Sequence, residues 1–278
     1  MPFAKIEAKI TARQETISKE ERDEGMKANY HTHTRWCNHG TGEIEDYIKA
    51  AICGGLRELA ITEHVPRRDN LDHRRIQWEE FEAYNRELDE MIDKYRGQIR
   101  VIKGFECEYY PEDLDDYRMF RDQYGYRLLI LGQHRSGKNK EIDHFAKKTA
   151  KEMQLYADEV CAGLETGIFT FLAHPDLALQ GYPSVWDETC ERVMRQIYSA
   201  CEKYNIPVEI NGNGFGRQRA YPSKEALLLS KEYRLRYLIN SDAHKPENLC
   251  GEVVAAVEAF AESLGIPVME YLDPMEQL

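Results

Sequence analysis

Several features that would place a chain of 278 residues in a class at once are missing. No apolar run approaches the roughly 20 residues needed to span a bilayer, and the opening "MPFAKIEAKITARQETISKEERDEG" lacks the apolar centre of an export signal. No membrane partner is expected. The seven cysteines (Cys37, Cys53, Cys107, Cys161, Cys190, Cys201 and Cys250) are odd in number, scattered and never spaced CxxC. This argues against a disulfide framework or a four-cysteine zinc site and fits a reducing, cytoplasmic setting. Positive charge is short as well: 37 Lys and Arg stand against 49 Asp and Glu, a formal net charge of −12. A chain with that balance has no general affinity for a phosphate backbone, so a nucleic-acid polymer is not an expected partner. Any polyanion would need a locally positive site, which bound metal ions could supply.

Internal repeats, low-complexity tracts and Pro/Gly-rich linkers are also absent. What remains is a full complement of core: 42% of the residues are hydrophobic. Residues 1–27 are highly charged and read as an N-terminal extension, and residues 28–278 as one domain. Within the domain, "LRELAIT" (56–62), "IRVIKGF" (99–105), "RLLILG" (127–132), "GIFTFLA" (167–173), "IPVEIN" (206–211) and "LRYLIN" (235–240) have the near-continuous hydrophobicity of buried parallel strands. A short strand ending near Tyr30 precedes them. Amphipathic stretches alternate with the strands. In 43–52, Ile44, Tyr47, Ile48, Ala51 and Ile52 fall on one face, and Gly54-Gly55 supplies a stop. Residues 78–95 and 187–204 repeat the pattern. About seven β-α units without a linker predict an α/β fold, a single-domain, distorted TIM-like (β/α)7 barrel. In such barrels chemistry gathers at the C-terminal ends of the strands.

Those ends carry metal-type ligands. The first strand runs into His31 and His33, with His39 in the loop beyond. The second meets Glu63 and His64, the third Glu106, the fourth His134. The fifth meets His174, the sixth Asn211, and the seventh Asp242 and His244. Only His73 and His144 of the nine histidines lie elsewhere. Each residue alone has an ordinary explanation: an isolated HxH, a loop histidine before Pro175, a cap or an ion-pair carboxylate. The set is harder to explain that way. His31 and His33, two apart on one strand, can reach one ion. Imidazoles with carboxylates suit Zn, Mn or Fe. Seven imidazoles and two carboxylates exceed one ion's needs and suit a cluster of two or three.

"HTHTRWCNHGTGEIEDYIKAAICGGLRELAITEHVP" resembles the opening of the polymerase-and-histidinol-phosphatase (PHP) family, and within it the histidinol-phosphate phosphatases. The resemblance continues through "KGFECEYY", "AHPDL", "EINGNG", "YPS" and "NSDAHKPENLCG", covering roughly residues 29 to 252. It implies a trinuclear centre of divalent metals. One metal would sit on His31, His33, Glu106 and Asp242. A second would share Glu106 and add His134 and His174, and a third would take His39, His64 and His244. Glu106 matches the family's Gly-x-Glu pattern, which makes it the bridge. Two loops depart from the family: "GQHRSGKNK" replaces a GSVH-like element, and "NGNGFGRQRAYPS" replaces a GLR-like turn.

The resemblance implies hydrolysis of L-histidinol phosphate to L-histidinol and phosphate. The two altered loops keep open another small phosphate ester, such as a nucleotide monophosphate or a sugar phosphate. A non-catalytic metal module would be expected to lose ligands, and none is lost. A C–N or C–C hydrolase would want a lysine bridge at a strand end, where Lys103 is poorly placed. Metals lower the pKa of bound water to roughly 7 and so make a nucleophile available at neutral pH. Asp242 is the expected catalytic carboxylate, placed to orient a metal-bridging hydroxide or accept its proton. Arg217, Arg135 and Arg219 are the expected phosphate-binding residues, because a planar guanidinium grips two oxygens. Glu108 and Glu112 are read as exposed acids able to meet a cationic substrate. Glu63 is expected to orient its neighbours, Trp36 to pack as an ordinary aromatic, and residues 66–75 to form a lid.

Overall fold

The computed structural model describes residues 25–272, so most of the expected N-terminal extension lies outside the described residues. Seven parallel strands form one sheet: β1 (Ala28–Asn29), β2 (Glu58–His64), β3 (Arg100–Cys107), β4 (Leu128–Leu131), β7 (Phe171–Leu172), β8 (Val208–Asn211) and β9 (Tyr237–Asn240), hydrogen-bonded in that order. A small antiparallel hairpin, β5 (Arg135–Ser136) with β6 (Ile142–Asp143), rises from the loop after β4. The helices are α1 (Ile44–Cys53), α2 (Phe81–Lys94), α3 (Leu114–Tyr124), α4 (Ala150–Glu165), α5 (Glu188–Tyr204), the short α6 (Gly212–Gly216), α7 (Lys224–Ser230) and α8 (Glu252–Ser263). The sheet curls until its edges meet. Thr32 bridges Ala243 in parallel, and the His33 amide donates to the Ala243 carbonyl at 2.9 Å. The Tyr30 amide adds a bond to Asn240 Oδ1 at 2.8 Å. The result is a nearly closed, seven-stranded α/β barrel.

Each expected strand is found, and most are trimmed. The fifth shrinks most, to Phe171–Leu172. Gly167 turns the chain with φ +66° before it, and His174 ends it with φ +29°. Helix starts follow local chemistry: Thr149 caps α4 and Asp187 caps α5, each side chain accepting backbone N–H groups.

Strand alternation sorts the side chains into two cores. Leu59, Ile61, Phe105, Leu129, Leu131, Leu172, Ile210 and Ile239 point outward and pack under the helices. Ala60, Ile102, Leu128, Ile130, Phe171, Ala173 and Leu238 point inward, joined by Tyr30 and Leu272. Following the inward set by steps of two toward the strand ends gives Thr62 and His64 on β2, Gly104 and Glu106 on β3, and Asn240 on β9, with Asp242 two residues beyond its end. The period that fills the floor with hydrocarbon therefore delivers the polar residues to the rim.

Candidate metal centre

At the rim, the nine predicted donors come together. Glu106 lies at the middle, buried. Its Oε1 lies 2.8 Å from His174 Nε2 and 3.3 Å from His134 Nε2; its Oε2 lies 3.0 Å from His64 Nδ1, 3.3 Å from His33 Nε2 and 3.4 Å from His31 Nε2. Asp242 Oδ1 stands 3.7 Å from His31 Nε2 and 3.5 Å from His33 Nε2. His39, His64 and His244 form a second group of converging donors further out. Only a glycine fits behind the central carboxylate: a Cβ at Gly132 would lie 2.1 Å from Glu106 Oε1.

The backbone is bent to serve this arrangement. His174 and Asp242 both adopt left-handed conformations, φ +29° and +47°. For residues with a Cβ this costs on the order of 1–3 kcal/mol each and persists where the surroundings enforce it.

Supporting contacts fix which ring nitrogens face inward. His39 Nδ1 lies 2.8 Å from the Cys37 carbonyl and His244 Nδ1 lies 3.0 Å from the Asp242 carbonyl, so both donate Nδ1–H. Their Nε2 lone pairs are left facing each other 2.9 Å apart. His31 Nδ1 is held by Glu209 at 2.8 Å, and its Nε2 sits 3.1 Å from His33 Nε2. Lone pairs pointed at one another, buried at His31 and His33 and open to solvent at His39 and His244, call for a cation between them. The field agrees. Burial together with the charge of His33 holds His64 well below the ordinary imidazole value and His244 at about 4, so both stay neutral, the ligating form. Burial would raise Glu106 and Asp242, but the imidazoles around them prevail and keep both carboxylates ionised. At His31, burial is outweighed by Glu209, Asp242 and Glu106, which stabilise positive charge there. The donor set fits divalent metal ions, and neutral imidazoles with shared carboxylates are the ligands such ions prefer.

Several residues that hold the donors were missed in the sequence. Glu209 is buried and accepts from the His174 amide (3.0 Å), Asn211 Nδ2 (2.8 Å) and Asn240 Nδ2 (3.0 Å) besides its contact with His31. Its signal was a lone acid inside the apolar run "IPVEIN". Asn211 itself does not join the donors; it ties Glu209 to Asp242. Glu63 accepts from the Thr34 amide at 2.7 Å and lies 4.0 Å from His33 Nδ1, so it steadies the HxH turn more than its neighbour His64. The reading of Glu108 as an exposed acid is corrected. It is buried, both oxygens taken by Arg75 at 3.0–3.2 Å, with His134 Nδ1 at 3.4 Å. A guanidinium that enters the core brings its carboxylate with it, because neither charge is stable there alone.

Above the donors opens a cavity of about 450 Å3, walled by Asp72, Arg74, Arg75, Phe145, Asn213, Arg217, Arg219 and Tyr221. Arg217 and Arg219 are therefore at the cavity. Arg219 donates to the Tyr221 hydroxyl at 2.7 Å and lies over the Phe145 ring at 4.8 Å. Arg135 is not in the wall; its guanidinium is turned to Asp143 at 3.4 Å and Asp72 at 3.8 Å. Arg74 and Arg75 take wall positions that sequence reasoning gave to the lid as a whole. Glu112 is at the surface beside Lys140 at 3.2 Å. Trp36 packs edge-on against Tyr84 and donates to Glu87. Lys103 Nζ bonds Asp89 at 2.8 Å over the Tyr126 ring, on the outer side of the sheet. Cys37 Sγ lies 3.1 Å from the Thr34 carbonyl and from the Gly40 amide, a core role.

A seven-stranded parallel barrel with imidazoles and carboxylates crowded at its C-terminal rim defines a metal-centred barrel protein. The PHP domain profile matches residues 29–213, and the chain belongs to the PHP domain family. It is 24% identical over 269 residues to the histidinol-phosphatase of Bacillus subtilis (strain 168), an alignment covering 85% of this chain and 99% of that protein. With the probable histidinol-phosphatase of Schizosaccharomyces pombe it shares 26% identity over 264 residues, 81% of this chain and 82% of the relative. The fold is shared with histidinol phosphate phosphatase from Lactococcus lactis, whose crystal structure holds Zn, L-histidinol and phosphate. The TM-score is 0.70 at 15% identity, covering 88% of this chain and 95% of the other. No helix among the described residues is long and apolar enough to cross a membrane.

Proposed function

We propose that the chain is a divalent-metal-dependent phosphomonoesterase whose substrate is L-histidinol phosphate. The observation that carries this reading is the placement of nine imidazole and carboxylate donors directly beneath a cavity walled by arginines. The activity of the Bacillus subtilis relative, aligned along nearly its whole length, supports the substrate. Three ions would be held as the family resemblance implies: one by His31, His33, Glu106 and Asp242; one by Glu106, His134 and His174; one by His39, His64 and His244. Bound metals would supply a water acidic enough to attack at neutral pH and would neutralise charge on the phosphoryl oxygens.

The chain's own side chains do the rest. Arg217 and Arg219 offer guanidiniums to the phosphoryl oxygens. Among the described residues neither has a carboxylate partner, so their charge is free to meet an incoming anion. Asp242 is ionised and held by Asn211 (3.2 Å) and Asn213 (3.1 Å) on Oδ2, which turns Oδ1 toward His31 and His33, where it would hold a metal and orient the attacking water. Tyr221 and Phe145 form an apolar side that limits water around the ester.

The test is a set of specificity constants for metal-replete protein on L-histidinol phosphate, nucleoside monophosphates and sugar phosphates. A preference for L-histidinol phosphate by several powers of ten supports the reading. Flat values, or a win for another ester, would remove the substrate and keep the phosphatase.

A further inference from the structure

Four carboxylates line the cavity: Asp72, Glu106, Glu108 and Asp242. Glu106 and Asp242 belong to the donor cluster, and Glu108 is consumed by Arg75 and His134. Asp72 is left over. It stands on the loop between β2 and α2, and it is bound by a guanidinium from that same loop. Its Oδ1 accepts from the Arg74 amide (2.9 Å) and Nε (3.2 Å), and its Oδ2 lies 3.0 Å from Arg74 Nη2.

The other cations near Asp72 have carboxylates of their own. Arg75 has Glu108 at 3.0 Å, and Arg135, 3.8 Å from Asp72, has Asp143 at 3.4 Å. Arg74 is thus the cation that depends on Asp72, and it is half-exposed. An ion pair this open to solvent adds little stability, so exchanging its partner costs little. Arg74 also lines the same cavity as the donors His39 and His244. The loop is anchored at one end by Arg67 on Asp113 and at the other by Arg75 on Glu108, with Leu71 between them 73% exposed.

We propose that Asp72 is the specificity-determining carboxylate for the leaving group: it receives the ammonium of an amino-alcohol phosphate while Arg74, released, turns to the phosphoryl group. This rests on the phosphomonoesterase reading and narrows its substrate class. The exchange leaves every charge paired, Asp72 with the ammonium and Arg74 with the phosphate. A neutral or anionic leaving group cannot complete the exchange: Arg74 then stays on Asp72, or Asp72 is left with Arg135 alone, 3.8 Å away and shared with Asp143. The device therefore selects against sugar phosphates and nucleotides at the end of the ester remote from the metals.

The experiment compares metal-replete wild type, Asp72→Asn and Asp72→Glu on L-histidinol phosphate and on p-nitrophenyl phosphate, which has no cation. The expected result is that the ratio of the two kcat/KM values falls by about tenfold or more in Asp72→Asn. The loss should lie in KM, and Asp72→Glu should keep most of the ratio. The inhibition constant of L-histidinol should rise in parallel in Asp72→Asn. An unchanged ratio, or an equal loss on both esters, overturns the assignment. Wild type that hydrolyses p-nitrophenyl phosphate but favours no amino-alcohol ester also overturns it and leaves the phosphatase reading standing. Wild type that hydrolyses neither ester removes both.

Discussion

At the floor of the barrel Tyr30, Ile102, Leu128, Phe171 and Leu238 close around Leu272, with Met269 packed alongside. A few residues further along the same strands, His64, Glu106, Asn211 and Asp242 face one another at the rim. Floor and rim share the same strands and the same alternation, and they differ in what burial does. At the floor it removes hydrocarbon from water and contributes stability. At the rim it confines carboxylates, imidazoles and left-handed backbone, each unfavourable alone, in a geometry that a cation relieves. One end of the barrel holds the molecule together, and the other is held ready by it. Changes at the rim should therefore disturb metal and turnover, and changes at the floor should disturb stability.

The largest effect is expected at the centre of the rim. His31→Ala or Asp242→Asn should lower metal content, read by elemental analysis, and reduce kcat/KM by on the order of a thousandfold. Gly132→Ala should act on the same centre without removing a donor. Its methyl group would push against Glu106, and metal affinity should fall by about 10–100-fold in a titration. Arg217→Ala should leave metal content alone and lower kcat/KM by about 10–100-fold, the value of one charge-assisted hydrogen bond.

Leu272→Ala should invert the pattern: a loss of about 2–5 kcal/mol in denaturant unfolding, with kcat/KM within roughly twofold of the parent. If it also drained the metal, floor and rim would not be separable. The smallest effect concerns Lys148, buried behind the rim with its ammonium on the His144 and Gln180 carbonyls. Burial lowers it from 10.5 to about 8, although Asp143 and Glu152 pull the other way. Between those values the unfolded chain binds the proton and the folded chain does not, so stability rises with pH across that window. Lys148→Met should flatten the rise.

The strands were readable because strands buried on both faces write themselves as unbroken apolar runs. Their ends were readable because alternation carries inward residues straight to the rim, so His64, Glu106 and Asp242 could be named from position. His174 could be named too, though not the left-handed turn that aims it. What escaped was pairing across distance. Nothing in "PRRDNLDHRR" says that Arg75 enters the core while Arg74 stays at the mouth; that depends on Glu108, 33 residues away. Glu108 was read as exposed for the same reason. Arg135, adjacent to a donor, was expected at the substrate, yet the hairpin of β5 and β6 turns it toward Asp143.

The multi-metal hydrolytic centre proposed at the rim has a direct test. The most direct measurement strips the protein of metal and follows phosphatase activity while Zn or Mn is returned. The account predicts no turnover in the stripped protein and recovery that saturates at two to three equivalents per chain. Full activity without metal, or saturation at one equivalent or fewer, would contradict it.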